Sequence, residues 1–326
     1  MPHDVLISDT KSAVVDDELQ GEVLADYDAT VRSTITETED ELLAELDGAE
    51  GLIVDAGVPV TREVLERAEA LEVVGRAGIG VDNVDLEAAR EEGITVVNHP
   101  TYSLDEVATH ALSLLLASLR RLPVYDRSTR SGEWEWSAGA PIPRLQGSTI
   151  GLLGFGKIPK RLATMIGGFG CEVLAADPHL ADDEIKLHNV EPVEFDDLLS
   201  RADLLSIHTP LTEETEGMLG EDEFERLSDE AVVVNTARGP VIDTDALVAA
   251  LETDEIGFAG LDVTEPEPLP DDHALYDLEN AVVTPHVGWY SEDSRAQLSR
   301  EIAADVGRVL AGEEPEHEVD ADSPWV

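Results

Sequence analysis

Apolar runs of strand length alternate with helix-period segments along nearly the whole chain, the pattern of an α/β protein with parallel sheets. In the first hundred residues the runs at 5–8, 51–54, 73–75 and 95–97 read as strands. Between them, TREVLERAEA (61–70) sets Val64, Leu65 and Ala68 at helical spacing behind Thr61, whose hydroxyl can cap a first turn. A second helix is expected over 85–92. The segment 103–121 lines Val107, Ala111, Leu114, Leu115 and Ser118 along one face of a long helix. Residues 123–146 hold Trp134, Trp136, Pro141 and Pro143, and read as an arm or loop. A second strand series follows at 149–153, 172–176, 204–208, 232–235, 257–262 and 282–284. A last helix, 292–310, comes after that series is complete, so it is expected to return to the first domain and make it discontinuous. The expected division is 1–99 with 287–326, and 100–286.

Composition narrows the picture. The chain has 326 residues, 42% hydrophobic but only 4% aromatic, so its cores must be aliphatic. Against 21 basic residues stand 71 acidic ones, a formal charge of −50. Such a surface repels nucleic acid and anionic membranes, which excludes both as expected partners. The carboxylates are spread along Val- and Leu-rich periodic segments, so they do not mark disorder. They predict a folded protein suited to high salt, as in a halophile, where repulsion is screened to a few ångströms. The single Cys171 cannot form an intramolecular disulfide, fits a reducing compartment, and reads as a buried strand-edge residue. No leader pattern opens the chain, and the uncharged run 107–119 is shorter than the ~20 residues a bilayer requires. A soluble, cytoplasmic protein is expected.

The turn GLLGFGKIP joins a strand to a helix, with Gly151, Gly154 and Gly156 where a backbone could approach a pyrophosphate at a helix N-terminus. The third glycine of G-x-G-x-x-G is replaced by Pro159, tolerable in a first turn, where the N–H lacks an intrahelical partner. Alone, the turn is as well explained by a tight βα connection without ligand. Asp177, ending the next strand, raises the odds, since a carboxylate there accepts from ribose hydroxyls and repels a 2′-phosphate. NAD is therefore expected over NADP. Downstream, Arg238 (NTARGP), Glu267 (TEPEP) and His286 (TPHVGWYSE) supply a cation, a carboxylate and an imidazole. Taken singly, each is more simply a surface or loop residue, and Glu265 rivals Glu267. The histidines show no H-x-x-x-H or Cys/His pairing, so no metal site is expected.

Together the segments GLLGFGKI, ADP, HTPLTEETEG, VVNTARGPVIDTDAL, GLDVTEPEP and TPHVGWYSE, in that order, resemble the D-2-hydroxyacid dehydrogenase family from about Val73 to Leu310. Within it the chain is similar to 3-phosphoglycerate dehydrogenases, and PHVGWYSE to the C-terminal-binding-protein branch. The chain stops at Val326, which implies no added serine-sensing domain. The resemblance implies two Rossmann-like or flavodoxin-like domains: a discontinuous substrate-binding one (1–99 plus 287–326) and an NAD-binding one (100–286). It implies reversible hydride transfer between NADH and a small 2-keto acid, such as 3-phosphohydroxypyruvate, glyoxylate or hydroxypyruvate. The alternative it allows is an NAD(H)-sensing interaction protein.

Residue by residue, the resemblance makes Arg238 the substrate arginine, Glu267 the carboxylate partner and His286 the acid/base. It selects Glu267 over Glu265 by register. It assigns Arg76, Ala77, Gly78, Ile79 and Gly80, with Trp289, to the substrate, the loop offering backbone N–H groups to a carboxylate. Val107 is implied beneath the nicotinamide, Asp262 near its amide, and Thr209 and Pro210 beside the adenosine. Gly154, Phe155, Gly156, Lys157, Ile158, Asp177, His208, Thr215, Thr236 and Ala237 complete the implied cofactor set, with Arg238 and His286. A homodimer through the NAD-binding domain, over 103–146, is also implied.

Overall fold

The computed structural model describes residues 2–9 and 14–322. Contacts divide the chain into two compact units, Met1–Ser103 with Tyr290–Val326, and Leu104–Trp289.

The first unit runs β1 (His3–Asp9), α1 (Asp17–Ala25), β2 (Ala29–Ile35), α2 (Glu39–Glu45), β3 (Gly51–Val54), α3 (Arg62–Arg67), β4 (Val73–Arg76), α4 (Leu86–Glu92) and β5 (Thr95–Val97). Its five strands are parallel in the order β2-β1-β3-β4-β5, the flavodoxin-like arrangement. Thr61 and Asp85 cap α3 and α4 by accepting from Val64 and Ala88 N–H groups. Those helices bury Val64, Leu65, Ala88 and Ala89 against Leu52, Val74 and Val96 of the sheet. No elements were expected between residues 9 and 51. That stretch is strongly acidic and its helices bury little, Gln20 and Leu24 in α1 and Leu42 in α2, so its periodicity is faint.

The second unit comprises α5 (Leu104–Leu119), α6 (Leu122–Arg130), β6 (Thr149–Leu153), α7 (Lys157–Ile166), β7 (Glu172–Ala176), α8 (Asp182–Lys186), β8 (Glu191–Pro192), α9 (Phe195–Arg201), β9 (Leu204–Ile207), α10 (Glu221–Phe224), β10 (Val232–Asn235), α11 (Thr244–Glu252), β11 (Phe258–Leu261) and β12 (Ala281–Val283). The seven parallel strands lie in the order β12-β11-β10-β9-β6-β7-β8, a doubly wound sheet whose order reverses between β6 and β9. Helices on both faces give two aliphatic cores, one around Leu115, Leu152 and Leu162, the other around Leu205, Val233 and Leu247. The predicted face of α5 is buried as drawn: Val107, Ala111, Leu114, Leu115 and Ser118. The arm expected from residue 123 instead begins with α6. Pro123 stands in that helix's first turn, where a missing N–H costs nothing. Beyond α6, Trp134 and Trp136 are 89% and 81% exposed.

The last helix, α12 (Glu292–Leu310), belongs to the first unit and covers the second face of its sheet. Gly75 in β4 permits this approach: a Cβ there would lie 2.7 Å from Cγ2 of Val306.

Candidate active site

Arg238 follows β10 in a turn fixed by Asn235. The fully buried Asn235 carboxamide accepts from the Ala237 N–H at 2.9 Å and donates to the Arg238 carbonyl at 2.8 Å. The Arg238 guanidinium is half-buried and donates from Nη1 to the Ala237 carbonyl at 2.7 Å. Gly239 lies so close to the next loop that a Cβ would overlap the Thr264 carbonyl. The arginine turn and the Thr264–Glu267 segment are thereby packed backbone to backbone.

Glu267 bridges that segment to His286. Its Oε1 accepts from the Thr264 N–H at 2.9 Å, and its Oε2 meets His286 Nδ1 at 2.9 Å. Glu267 thus makes the pairing for which Glu265 was the rival. With Nδ1 engaged by a carboxylate, Nε2 is the imidazole nitrogen left to exchange a proton. His286 has φ of 51°, a left-handed conformation that costs a non-glycine residue about 1–2 kcal/mol. Something must hold it there.

That something is Asp262. Its carbonyl accepts from the His286 N–H at 2.8 Å. Its carboxylate accepts from the Thr284 hydroxyl at 2.5 Å and from the Val287 and Gly288 N–H groups at 2.9 and 2.8 Å. His110 of α5 stands 3.2 Å from the same carboxylate and 3.0 Å from the Thr284 hydroxyl. Burial pushes the Asp262 carboxyl up, but the hydrogen bonds from His110, Thr284, Val287 and Gly288 together outweigh it and hold it below the usual range. The carboxylate implied to lie near a nicotinamide amide is thus committed to the turn that carries His286. His110 and Asn235 were not singled out by sequence. Asn235 acts through backbone groups, and His110 through the Asp262 carboxylate and the Thr284 hydroxyl, partners that no motif displays.

At the sheet's reversal point, Gly154 has φ of 85°, and a Cβ there would come within 2.9 Å of the Thr209 N atom and 3.0 Å of His208. Gly156 caps α7 with open space around it, and Lys157 beside it is exposed. Pro159 falls in the first turn, as expected. The N–H groups of Lys157 and Ile158 have no intrahelical acceptor there and suit a phosphate. Phe155 differs from its implied role. Its ring is fully buried and its N–H donates to Asp177 Oδ2 at 2.8 Å, so it faces the core. Asp177 Oδ1 accepts from the His179 N–H at 2.9 Å, leaving each carboxylate oxygen further acceptor capacity. This glycine cradle, open at Gly156 and closed by Asp177, fits a dinucleotide.

The remaining implied contacts are divided between the two units. His208 pairs its Nε2 with the Ser206 hydroxyl at 2.9 Å, and burial pushes its imidazole down to about 3. Thr209 and Pro210 follow, half-buried, and the Thr215 hydroxyl donates to the Pro210 carbonyl at 2.6 Å. Thr236 Oγ1 is buried without a hydrogen-bond partner, next to Ala237. Val107 is buried in α5, and Trp289 is half-buried at the end of the second unit. Arg76 to Gly80 belong to the first unit, where Arg76 is buried and its Nη1 donates to the Ala77 carbonyl at 3.2 Å. Of that loop's N–H groups, Ala77's is spent on the Val54 carbonyl at 2.7 Å, so it is not available to a ligand. Gly78, at φ of 149°, lies against the guanidinium; a Cβ there would overlap Arg76.

Residues 112–288 match the family profile described as D-isomer specific 2-hydroxyacid dehydrogenase, NAD binding domain. A D-3-phosphoglycerate dehydrogenase of Methanocaldococcus jannaschii is 39% identical over 283 residues, 86% of this chain and 54% of that protein. The chain thus spans about half the length of the curated relatives it matches. Among solved structures, the TT0316 protein of Thermus thermophilus is 36% identical with a TM-score of 0.87, covering 97% of this chain and 100% of that one. D-Lactate dehydrogenase of Aquifex aeolicus, complexed with NAD and lactic acid, is 27% identical with a TM-score of 0.84, covering 95% and 96%. No helix among the described residues is long and apolar enough to cross a membrane.

Proposed function

The chain belongs to the D-isomer specific 2-hydroxyacid dehydrogenases, and from that premise we propose that it reversibly transfers a hydride between NADH and the carbonyl carbon of a small 2-keto acid. The observation that supports this most is the 2.9 Å pair of His286 Nδ1 and Glu267 Oε2 beside the Asn235-braced Arg238 turn. Bound NADH supplies the hydride from its nicotinamide ring. Arg238 holds the substrate carboxylate, bidentately, because a planar guanidinium matches a carboxylate as a lysine cannot. As hydride reaches the carbonyl carbon, charge grows on the oxygen, and His286 donates the Nε2 proton to it. Glu267, at 2.9 Å from Nδ1, fixes the tautomer and the ring orientation for that transfer. Asp262 acts at one remove, by holding the left-handed His286 backbone.

The Gly154–Ile158 turn holds the pyrophosphate and Asp177 the adenosine ribose. A carboxylate at that position disfavours a 2′-phosphate, which supports NAD over NADP. Substrates of the size of glyoxylate, pyruvate and 3-phosphohydroxypyruvate fall within the class. A homodimer through α5, α6 and the arm is part of the same proposal, supported by the exposed Leu122, Trp134 and Trp136.

The test is a panel of these keto acids with NADH and with NADPH in molar KCl. Expected are consumption of NADH faster than NADPH and a loss in kcat on the order of 10²–10⁴ in His286→Gln. Tight NADH binding without turnover of any keto acid would overturn the enzyme reading and favour a dinucleotide sensor.

A further inference from the structure

We propose that the first unit carries a divalent transition-metal site, zinc-like in chemistry, whose protein ligands are His99, Glu301 and His317. Three segments distant in sequence meet there: the end of β5, the middle of α12, and the chain after α12. One potential ligand atom from each lies within 4.8 Å of the others. Inspection of short sequence spacings, which suggested no metal site, cannot see such a grouping.

His99 carries the argument. Its side chain is only 2% exposed, its Nε2 stands against Oε2 of Glu301, and its Nδ1 makes no hydrogen bond. A buried polar group left without a hydrogen bond costs about 1–3 kcal/mol, so such a group calls for a partner. The His99 and His317 rings are stacked, with centroids 5.0 Å apart and planes at 25°. Two stacked imidazoliums would repel, whereas two neutral imidazoles can share one dication.

His317 has the orienting partner that metal-bound histidines usually show. Its Nδ1 meets Oδ2 of the buried Asp305 at 2.9 Å, which sets the tautomer whose Nε2 lone pair is open. Asp305 is itself fixed, its Oδ1 accepting from Arg308 Nη1 at 2.6 Å and from the Glu316 N–H at 2.8 Å. The backbone holds the segment in register. The His317 carbonyl accepts from the Asn98 N–H at 3.2 Å, and Val319 donates to Val96 at 2.8 Å.

The ligand set of two imidazoles and one carboxylate suits Zn²⁺, Co²⁺ or Ni²⁺ rather than Ca²⁺ or Mg²⁺. Ligand atoms about 2.0–2.2 Å from a tetrahedral ion stand roughly 3.4 Å apart, so small side-chain rotations would close the site. Glu301 is 41% and His317 24% exposed, so an ion can enter from solvent and keep water as its fourth ligand. The ion would tie the segment after α12 to β5 and α12. It would also act next to the Gly78 loop, whose Gly78 carbonyl accepts from the His99 N–H at 3.0 Å.

The test uses the full chain, stripped with a chelator, dialysed, and titrated with Zn²⁺ by calorimetry and with Co²⁺ by visible absorption. Expected are one ion bound per chain, a tetrahedral Co²⁺ spectrum, and a higher Tm with Zn²⁺. His317→Ala and Glu301→Gln, at partly exposed positions that should leave the fold intact, each weaken binding by at least about tenfold. His179→Ala, in the second unit, leaves binding unchanged. No binding to the wild type, or binding and a Tm shift that survive both ligand substitutions, would overturn the site.

Discussion

Asp262 and His208 stand just past the C-terminal ends of β11 and β9, and burial acts on them with different outcomes. Asp262 is surrounded by donors and remains a carboxylate. His208 has one hydroxyl neighbour and remains a neutral imidazole, its ordinary value of 6.5 pushed down to about 3. The sign of the linkage follows: below 6.5 the unfolded chain takes up a proton at His208 that the folded chain refuses. Its contribution to stability is therefore complete above pH 6.5 and is lost as the pH falls towards 3. The slope from one such proton is at most about 1.4 kcal/mol per pH unit. Denaturant unfolding at pH 7 and 4.5 should show a shallower loss of stability in His208→Gln than in the wild type, and equal losses would refute the assignment. At this scale the sequence displayed the three chemical groups but not their support. Glu267, the carboxylate that meets His286, is also held by the Thr264 N–H, a contact made only in the folded turn. Asn235 and Asp262 hold backbone turns, His110 braces the Asp262 carboxylate, and a side chain's partner in a turn is set by the folded path, not by its neighbours in sequence.

Elements were legible wherever burial is two-sided or the apolar stripe is wide. The central strands and α5 qualify; α1 and α2 do not, being acidic and shallowly buried, nor does β2, whose side chains are mostly half-buried or exposed. The close packing of α12 on β4 was beyond reach of the pattern, because Gly75 reveals its purpose only when Val306 is across from it. Gly75→Ala is expected to destabilise the protein by roughly 1–3 kcal/mol, since a Cβ would crowd the Val306 side chain. Val306→Ala alone opens a void, so the double variant should be more stable than the sum of the two single effects allows. Strict additivity in a thermal or denaturant cycle would mean that the two positions do not press on each other.

At the scale of the molecule, two electrostatic effects oppose one another as salt is added. Surface pairs such as Arg62 with Glu91 and Arg201 with Glu191 weaken, but solvent already screens such exposed pairs and they contribute little. Self-repulsion among 71 acidic residues facing 21 basic ones weakens too, and the net charge of −50 makes it the larger effect. Raising ionic strength from about 0.1 to 1 M shortens the Debye length from about 10 to 3 Å. Tm is therefore expected to rise throughout that range of KCl, and a flat or falling Tm would show that the acidic surface is not under strain.

By itself the sequence determined the α/β class, the two strand series, the glycine turn and the three chemical groups. Those features are written in local periodicity and in residue types that few other structures demand. Tertiary structure alone decided which carboxylate meets His286, what holds its left-handed backbone, and which distant imidazoles stack on each other. Such choices are made where segments far apart in the chain approach within a hydrogen bond's length, and a linear pattern does not contain that distance.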